Sequence, residues 1–248
     1  MKKTLIGLLG IVAVVAMLGS CGKPKAIVFA SDCTYPPMEY MNLDTNKPEG
    51  FDIDMVAAIA KAGGFDYEVK NTAWNGIFAG LLAGSYDAIV SSLNITDDRK
   101  KTMDFSDPYL NAGQSIVVPA GKGSPTTTLN DFVGKKVGVQ ISTTAQDSVD
   151  AIGGVDVHKY DAIGLAFEDL ANGRLDAVVV DEPIAGDYAL KKDQYKGKFE
   201  LAGQPFEGAD FAMAVKKGNK RVLDLIDKGL AAIKADGTLD ALKAKWFK

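Results

Sequence analysis

One supersecondary unit occurs twice in this chain, and it limits the folds open to it more than any other feature. "AGSYDAIVSS" (Ala83–Ser92) and "NGRLDAVVVD" (Asn172–Asp181) share an order of parts. Each reads helix end, glycine, two residues, Asp-Ala, then β-branched apolar residues, then polar residues. Around each copy, short apolar runs alternate with helical segments. In the first half "AIVFA" is a strand, "FDIDMVAAIAKAGG" a helix stopped at Gly63-Gly64, "DYEVK" a strand, "NGIFAGLLAG" a helix and "YDAIV" a strand. In the second half "KKVGVQ", "VDVHKY" and "LDAVVV" are strands separated by the helices "TTAQDSVDAI" and "DAIGLAFEDLANG". Strands alternating with helices predict a parallel α/β sheet, and the repeat predicts two lobes of related architecture. "FSDPYLNAGQSIVV" joins the halves as extended chain. The last segment, "RVLDLIDKGLAAIKADGTLDALKAKWF", reads as a helix pair broken at Asp236-Gly237. Its return to the first lobe would make the chain cross between lobes more than once.

The N-terminus belongs to export rather than to the fold. Lys2 and Lys3 precede an apolar run from Leu5 to Leu18. That run is too short for the ~30 Å core of a bilayer at ~1.5 Å per residue, and reads as a secretory signal. It ends in "LGSC" (Leu18–Cys21), which resembles the lipobox of bacterial lipoproteins. The resemblance implies cleavage after residue 20 and lipid on Cys21, with residues 21–25 as a tether. Cys33 then has no disulfide partner and is expected as a buried small hydrophobe.

Composition excludes several classes of function. A formal charge of -4 with no basic cluster argues against nucleic acid. A single histidine, His158, argues against histidine-built metal sites and histidine-based nucleophilic catalysis, and no cofactor or metal is expected.

In open parallel sheets, ligands sit beyond the carboxyl ends of strands. The polar residues there are Asp32 and Tyr35 after the first strand, and Ser91, Ser92, Asn94 and Arg99 after the third. "STT" (Ser142–Thr144) follows "KKVGVQ", and Asp181 ends "LDAVVV". Thr96 is placed to cap a short turn through Arg99. The set suits a zwitterion. Arg99 can hold a carboxylate through two parallel hydrogen bonds. Ser92 and Thr144 add donors, Asp181 accepts from an ammonium, and Tyr35 and Trp74 supply flat apolar contact. Each residue also has a plain structural reading: Asp181 as a helix cap, Arg99 in a surface ion pair, Trp74 in a core.

Taken in order, "SDCTYPPMEY", "GFDIDM", "YDAIVSSLNITDDRKKTMDFSDPYL", "LNDFVGKKVGVQISTTAQ", "NGRLDAVVVDEPIA" and "IKADGTLDALKAKWF" resemble the polar amino-acid-binding proteins of bacterial ABC importers. The resemblance spans nearly the whole mature chain. It implies a two-lobe periplasmic-binding-protein fold (type II), with 24–110 and 205–248 in one lobe and 111–204 in the other. It implies a monomer, held outside the cytoplasmic membrane, that closes on a free amino acid and presents it to a permease. It assigns Arg99 to the α-carboxylate, Asp181 to the α-ammonium, Ser91 and Ser92 to the α-groups, and Thr144 with the preceding Thr143 to the second lobe's carboxylate donors. Tyr35 and Trp74 would sandwich the side chain, Asp32 would lie near its tip, and Gln140 and Asn94 would touch it. Cys33 and Ala145 depart from the usual pattern. Asp32, Glu39 and Asp52 favour arginine or lysine, then glutamine or another polar amino acid; alternatively Glu39 and Asp52 serve only the fold. Two other readings of the same architecture are a sensory receptor and a dehydratase-like enzyme, with Glu182 the nearest candidate acid.

Overall fold

The computed structural model describes residues 25–247. The signal segment, Cys21 and most of the tether lie outside the described residues. The chain runs β1 (Ile27–Ser31), β2 (Thr34–Tyr35), β3 (Glu39–Asn42), β4 (Lys47–Glu49), α1 (Phe51–Gly63), β5 (Tyr67–Asn71), α2 (Ile77–Ala83), β6 (Ala88–Ile89), α3 (Asp97–Lys100) and β7 (Met103–Phe105). It continues through β8 (Leu110–Pro119), β9 (Lys136–Gln140), α4 (Thr144–Ile152), β10 (Asp156–Tyr160), α5 (Ile163–Ala171), β11 (Ala177–Asp181) and α6 (Glu182–Gly186). It ends with β12 (Phe199–Phe211), β13 (Ala214–Lys216), α7 (Lys220–Ala235) and α8 (Thr238–Trp246).

Two five-stranded sheets organise these elements, in the orders β5-β1-β6-β13-β7 and β10-β9-β11-β8-β12. β1 pairs in parallel with β5 and β6, and β9 with β10 and β11. These are the two repeated units read from the sequence. Both sheets are mixed rather than purely parallel. β13 is antiparallel to β6 and β7, and β8 is antiparallel to β11 and β12. The antiparallel strands are those that flank the passages between the sheets.

The chain passes between the sheets twice, side by side. Ser106 N–H donates to the Met213 carbonyl at 2.9 Å, and Tyr109 N–H to the Phe211 carbonyl at 3.0 Å. The return differs from the sequence expectation at residue 205. β12 stays paired with β8 as far as Phe211↔Leu110, so residues 205–211 belong with the second sheet. Gly203, Pro205 and Gly208 hid this strand, because such residues normally mark a loop. Its register shifts between Ala202 and Phe206, and again before Ala209, absorb them.

The first sheet is covered by α1, with α7 packed on it. Gly229 of α7 permits the approach, since a Cβ there would collide with the Ile59 carbonyl of α1. The C-terminal helix pair is fastened to the same helix: Trp246 Nε1 donates to Asp54 Oδ2 at 2.9 Å and Lys245 Nζ lies 2.6 Å from that oxygen. Phe29, Phe51, Met55 and Ile59 are fully buried beneath them. In the second half Phe167 stacks on Tyr188 with ring centres 3.8 Å apart. The small antiparallel sheet β2-β3-β4 was not expected from sequence. It turns the chain so that β3 begins with Glu39 facing inward, at 0% exposure.

Candidate binding site between the two sheets

The C-terminal ends of β1, β6, β9 and β11 meet across a cleft. It is narrow: about 280 Å³ of non-atom space, part of it open to solvent, with side chains hydrogen-bonded across it. Asp32, Tyr35, Trp74, Ser91, Ser92, Asn94 and Arg99 line one side, and Gln140, Thr143 and Asp181 the other. Thr144 sits behind the lining. Glu39, offered by the sequence either as an acid favouring a cationic ligand or as a residue of the fold, also lines it, whereas Asp52 does not.

Arg99 is delivered by α3. Thr96 caps that helix, its side chain accepting from Arg99 N–H at 3.2 Å, as the sequence implied. The guanidinium donates to the Asn94 carbonyl at 2.9 Å and, across the cleft, to the Ser142 carbonyl at 3.0 Å. It lies over the Phe78 ring at 5.1 Å and the Trp74 ring at 6.0 Å, contacts favourable to a cation. Two of its five N–H groups are engaged in the hydrogen bonds to Asn94 and Ser142. Burial lowers its pKa to about 10, opposed by the charges of Asp147 and Asp181. Phe78 went unnoticed in the sequence. It meets the Trp74 ring edge-on, with ring centres 5.2 Å apart.

Asp181 is 6% exposed. It precedes α6 but makes no side-chain cap, so the cap reading is set aside. Its Oδ2 accepts from the Tyr35 hydroxyl across the cleft at 2.8 Å, while Oδ1 is buried with no hydrogen-bond partner. Burial pushes its pKa up to about 6, against the lowering effects of the Tyr35 hydrogen bond and the Arg99 charge.

Three more hydrogen bonds cross the cleft. Gln140 Nε2 donates to Asp32 Oδ2 at 2.9 Å, Trp74 Nε1 to the Ile141 carbonyl at 2.7 Å, and Thr144 Oγ1 to Asn94 Oδ1 at 3.1 Å. Asp32 also accepts from Thr34 Oγ1 at 2.9 Å; burial raises its pKa despite these two donors.

The serines depart from the expectation of free donors. Ser91 Oγ donates to Glu39 Oε1 at 3.0 Å and Ser92 Oγ to Glu39 Oε2 at 3.3 Å. Ser92 N–H donates to Asp52 Oδ2 at 2.8 Å. The backbone explains this: Ser92 adopts a left-handed φ of 47°, which turns its amide toward α1. The Thr144 hydroxyl is likewise committed, to Asn94. Thr143 caps α4 by accepting from Gln146 N–H at 3.2 Å. Cys33 is buried as expected, its thiol 3.7 Å from the Ser31 carbonyl and pushed up by burial to about 11. His158 lies outside the cleft, 3.4 Å from Asp156.

Opposite charges on facing walls of a small, largely buried cleft, between two sheets joined by adjacent crossings, define a binder of small solutes. Residues 27–248 match the bacterial extracellular solute-binding proteins, family 3, and the chain belongs to that family. It is thus a binding protein rather than an enzyme. It is 34% identical over 215 residues to the L-cystine-binding protein TcyJ of Escherichia coli (strain K12), covering 86% of this chain and 79% of that one. A probable histidine-binding protein of Neisseria gonorrhoeae is 34% identical over 228 residues, covering 90% and 83%. Among solved structures, an ancestral arginine-binding protein bound to arginine superposes with a TM-score of 0.85 at 38% identity, covering 92% of this chain and all of that one. These are the fold and the family that the ordered motifs implied.

Proposed function

We propose that the protein captures one free L-α-amino acid in the cleft and delivers it to the permease of an ABC importer. The observation that carries this reading is the partnerless Oδ1 of Asp181, buried on the wall opposite the Arg99 guanidinium. A buried carboxylate oxygen without a donor is costly, and a ligand ammonium would supply one. Arg99 and the first amides of α4 would take the α-carboxylate, the amides through the positive end of a helix. Tyr35 and Trp74 would flank the side chain, with Asp32, Gln140 and Asn94 toward its tip.

Two lobes would close on the ligand, one made of residues 24–110 with 212–248 and the other of residues 111–211. The paired crossings near Ser106 and Met213 would act as the hinge. A ligand held by Asp181 on one lobe and Arg99 on the other favours the closed form through its contacts to both. With Arg99 on the carboxylate and Asp181 on the ammonium, Asp32 remains as the acid toward the side-chain tip, which favours a cationic side chain, arginine or lysine, with glutamine or another polar amino acid next. The names of the relatives, for cystine, histidine and arginine, are consistent with a polar amino acid. Residues 1–20 would be removed on export and lipid on Cys21 would hold the monomer to the outer face of the membrane.

A thermal-shift screen across the twenty amino acids tests the reading. A hundredfold excess over Kd stabilises by about 2.7 kcal/mol. Arginine or lysine should give the largest shift; no shift with any amino acid would overturn the proposal.

A further inference from the structure

Glu39 in the cleft lining and Asp52 behind it form a pair of carboxyl groups that the ligand contacts proposed above do not use. Glu39, at the start of β3, and Asp52, in the first turn of α1, are both at 0% exposure. Glu39 receives the hydroxyls of Ser91 and Ser92 on its two oxygens. Asp52 Oδ2 receives Ser92 N–H and, at 3.0 Å, the hydroxyl of Tyr109. Asp52 Oδ1 is buried and has no donor. The two carboxyls are within hydrogen-bonding reach of each other. Among the described residues no Lys, Arg or His forms an ion pair with either. The other titratable groups facing them are Asp32 and Tyr35 from the β1–β2 side and Tyr109 from the crossing, with Arg99 and Asp181 on the cavity lining.

Two ionised carboxylates cannot sit together, desolvated and without a cation, at tolerable cost. One proton between them removes the repulsion and gives Asp52 Oδ1 its missing donor. We infer that Glu39 and Asp52 share a single proton, and that through it they act as positioning residues, holding the Ser91–Ser92 turn in its ligand-binding shape. The binding half of this inference rests on the amino-acid reading above; the shared proton does not.

The chain of contacts shows what the proton does. Glu39 fixes both serine side chains, and Asp52 fixes the Ser92 amide in its left-handed backbone. Tyr109 ties Asp52 to the start of β8, where the chain passes from one sheet to the other. Burial raises both carboxyls, Glu39 well above the usual carboxylate range and Asp52 to about 6. Both carboxyls are thus biased toward the protonated form, and at neutral pH the pair as a unit holds the one proton. A group with a raised pKa loses its contribution as pH rises through that value. Alkaline pH then puts a second charge on the pair, and the turn loosens.

Two measurements test this. The infrared spectrum of the ligand-free protein at pH 7 should contain the C=O band of a protonated carboxyl that Glu39→Gln removes. Calorimetric titration with L-arginine at rising alkaline pH should show wild-type affinity falling more steeply than that of Glu39→Gln. The Gln amide keeps an N–H for Asp52 and does not titrate. Titration of the arginine α-ammonium affects both proteins equally and cancels. Identical pH profiles, or no carboxyl band attributable to Glu39, would overturn the inference. If Glu39→Gln does not fold, 13C-labelled glutamate in the wild-type protein reports the same band, and its absence at pH 7 is equally decisive. Failure of L-arginine to bind at any pH would count against the ligand class and leave the infrared result to decide the shared proton.

Discussion

Asp181→Asn should stabilise the ligand-free protein while damaging its binding. The carboxyl is 6% exposed and its pKa is raised from 3.8 to about 6. A raised value about 2 units above the ordinary one, at 1.36 kcal/mol each, means that holding the charge at pH 7.5 costs about 3 kcal/mol when Asp181 is buried in the cleft. Asparagine removes that charge and can still accept from Tyr35, but its buried N–H group gains no acceptor, at a cost of about 1–2 kcal/mol. The net gain is about 1–2 kcal/mol, or roughly 2–8 °C in Tm for a chain of this size. The sign with pH is definite. A raised pKa favours folding below the unfolded value near 3.8, and the advantage is lost as pH rises through about 6. Differential scanning calorimetry on protein stripped of ligand by unfolding and refolding should show Asn ahead of Asp at pH 7.5 and behind it by pH 4, where only the cost of the unmatched Asn N–H remains. In an amino-acid titration the same variant should lose most of its affinity. A lower Tm for Asp181→Asn at pH 7.5, or a gap independent of pH, would refute the reasoning.

Other outcomes follow from the same geometry. Arg99→Ala should abolish amino-acid binding in calorimetry, since it removes the one guanidinium in the cavity lining, and should leave the far-ultraviolet circular dichroism unchanged. Gly50→Ala should destabilise by about 3 kcal/mol or more in urea unfolding: φ is +134° and a Cβ would meet the Met38 carbonyl. Cys21→Ser should move the protein from the membrane fraction to the soluble fraction on cell fractionation.

The alternating strands and helices were legible because both periods are strong there. β1, α1 and β5, and their counterparts β9, α4 and β10, fall within a residue or two of the sequence reading. The Thr96 cap was legible because its chemistry is local. What escaped was set by contacts distant in sequence. β2, β3 and β4 are two to four residues long, too short for alternation to register, and exist because the chain folds back beneath α1. β12 contains glycines and a proline that a register shift accommodates only because β8 lies beside it. The cleft residues stood out because strand ends converge in such sheets, and ten of the eleven named line the cavity. Glu39 stood only as one of several acids near the strand ends, with its place in the lining undecided, because it enters from one of those short strands. The directions of the Ser91 and Ser92 hydroxyls could not be read without knowing that Glu39 waits behind them.

One ligand should satisfy Arg99 and Asp181 together through its α-carboxylate and α-ammonium. The decisive measurement is calorimetric titration of the wild-type protein with L-arginine and with agmatine, which has the same side chain but no carboxylate. L-arginine should bind tightly at one-to-one stoichiometry and agmatine should lose nearly all affinity. Equal affinity for the two would rule out the joint role of Arg99 and Asp181.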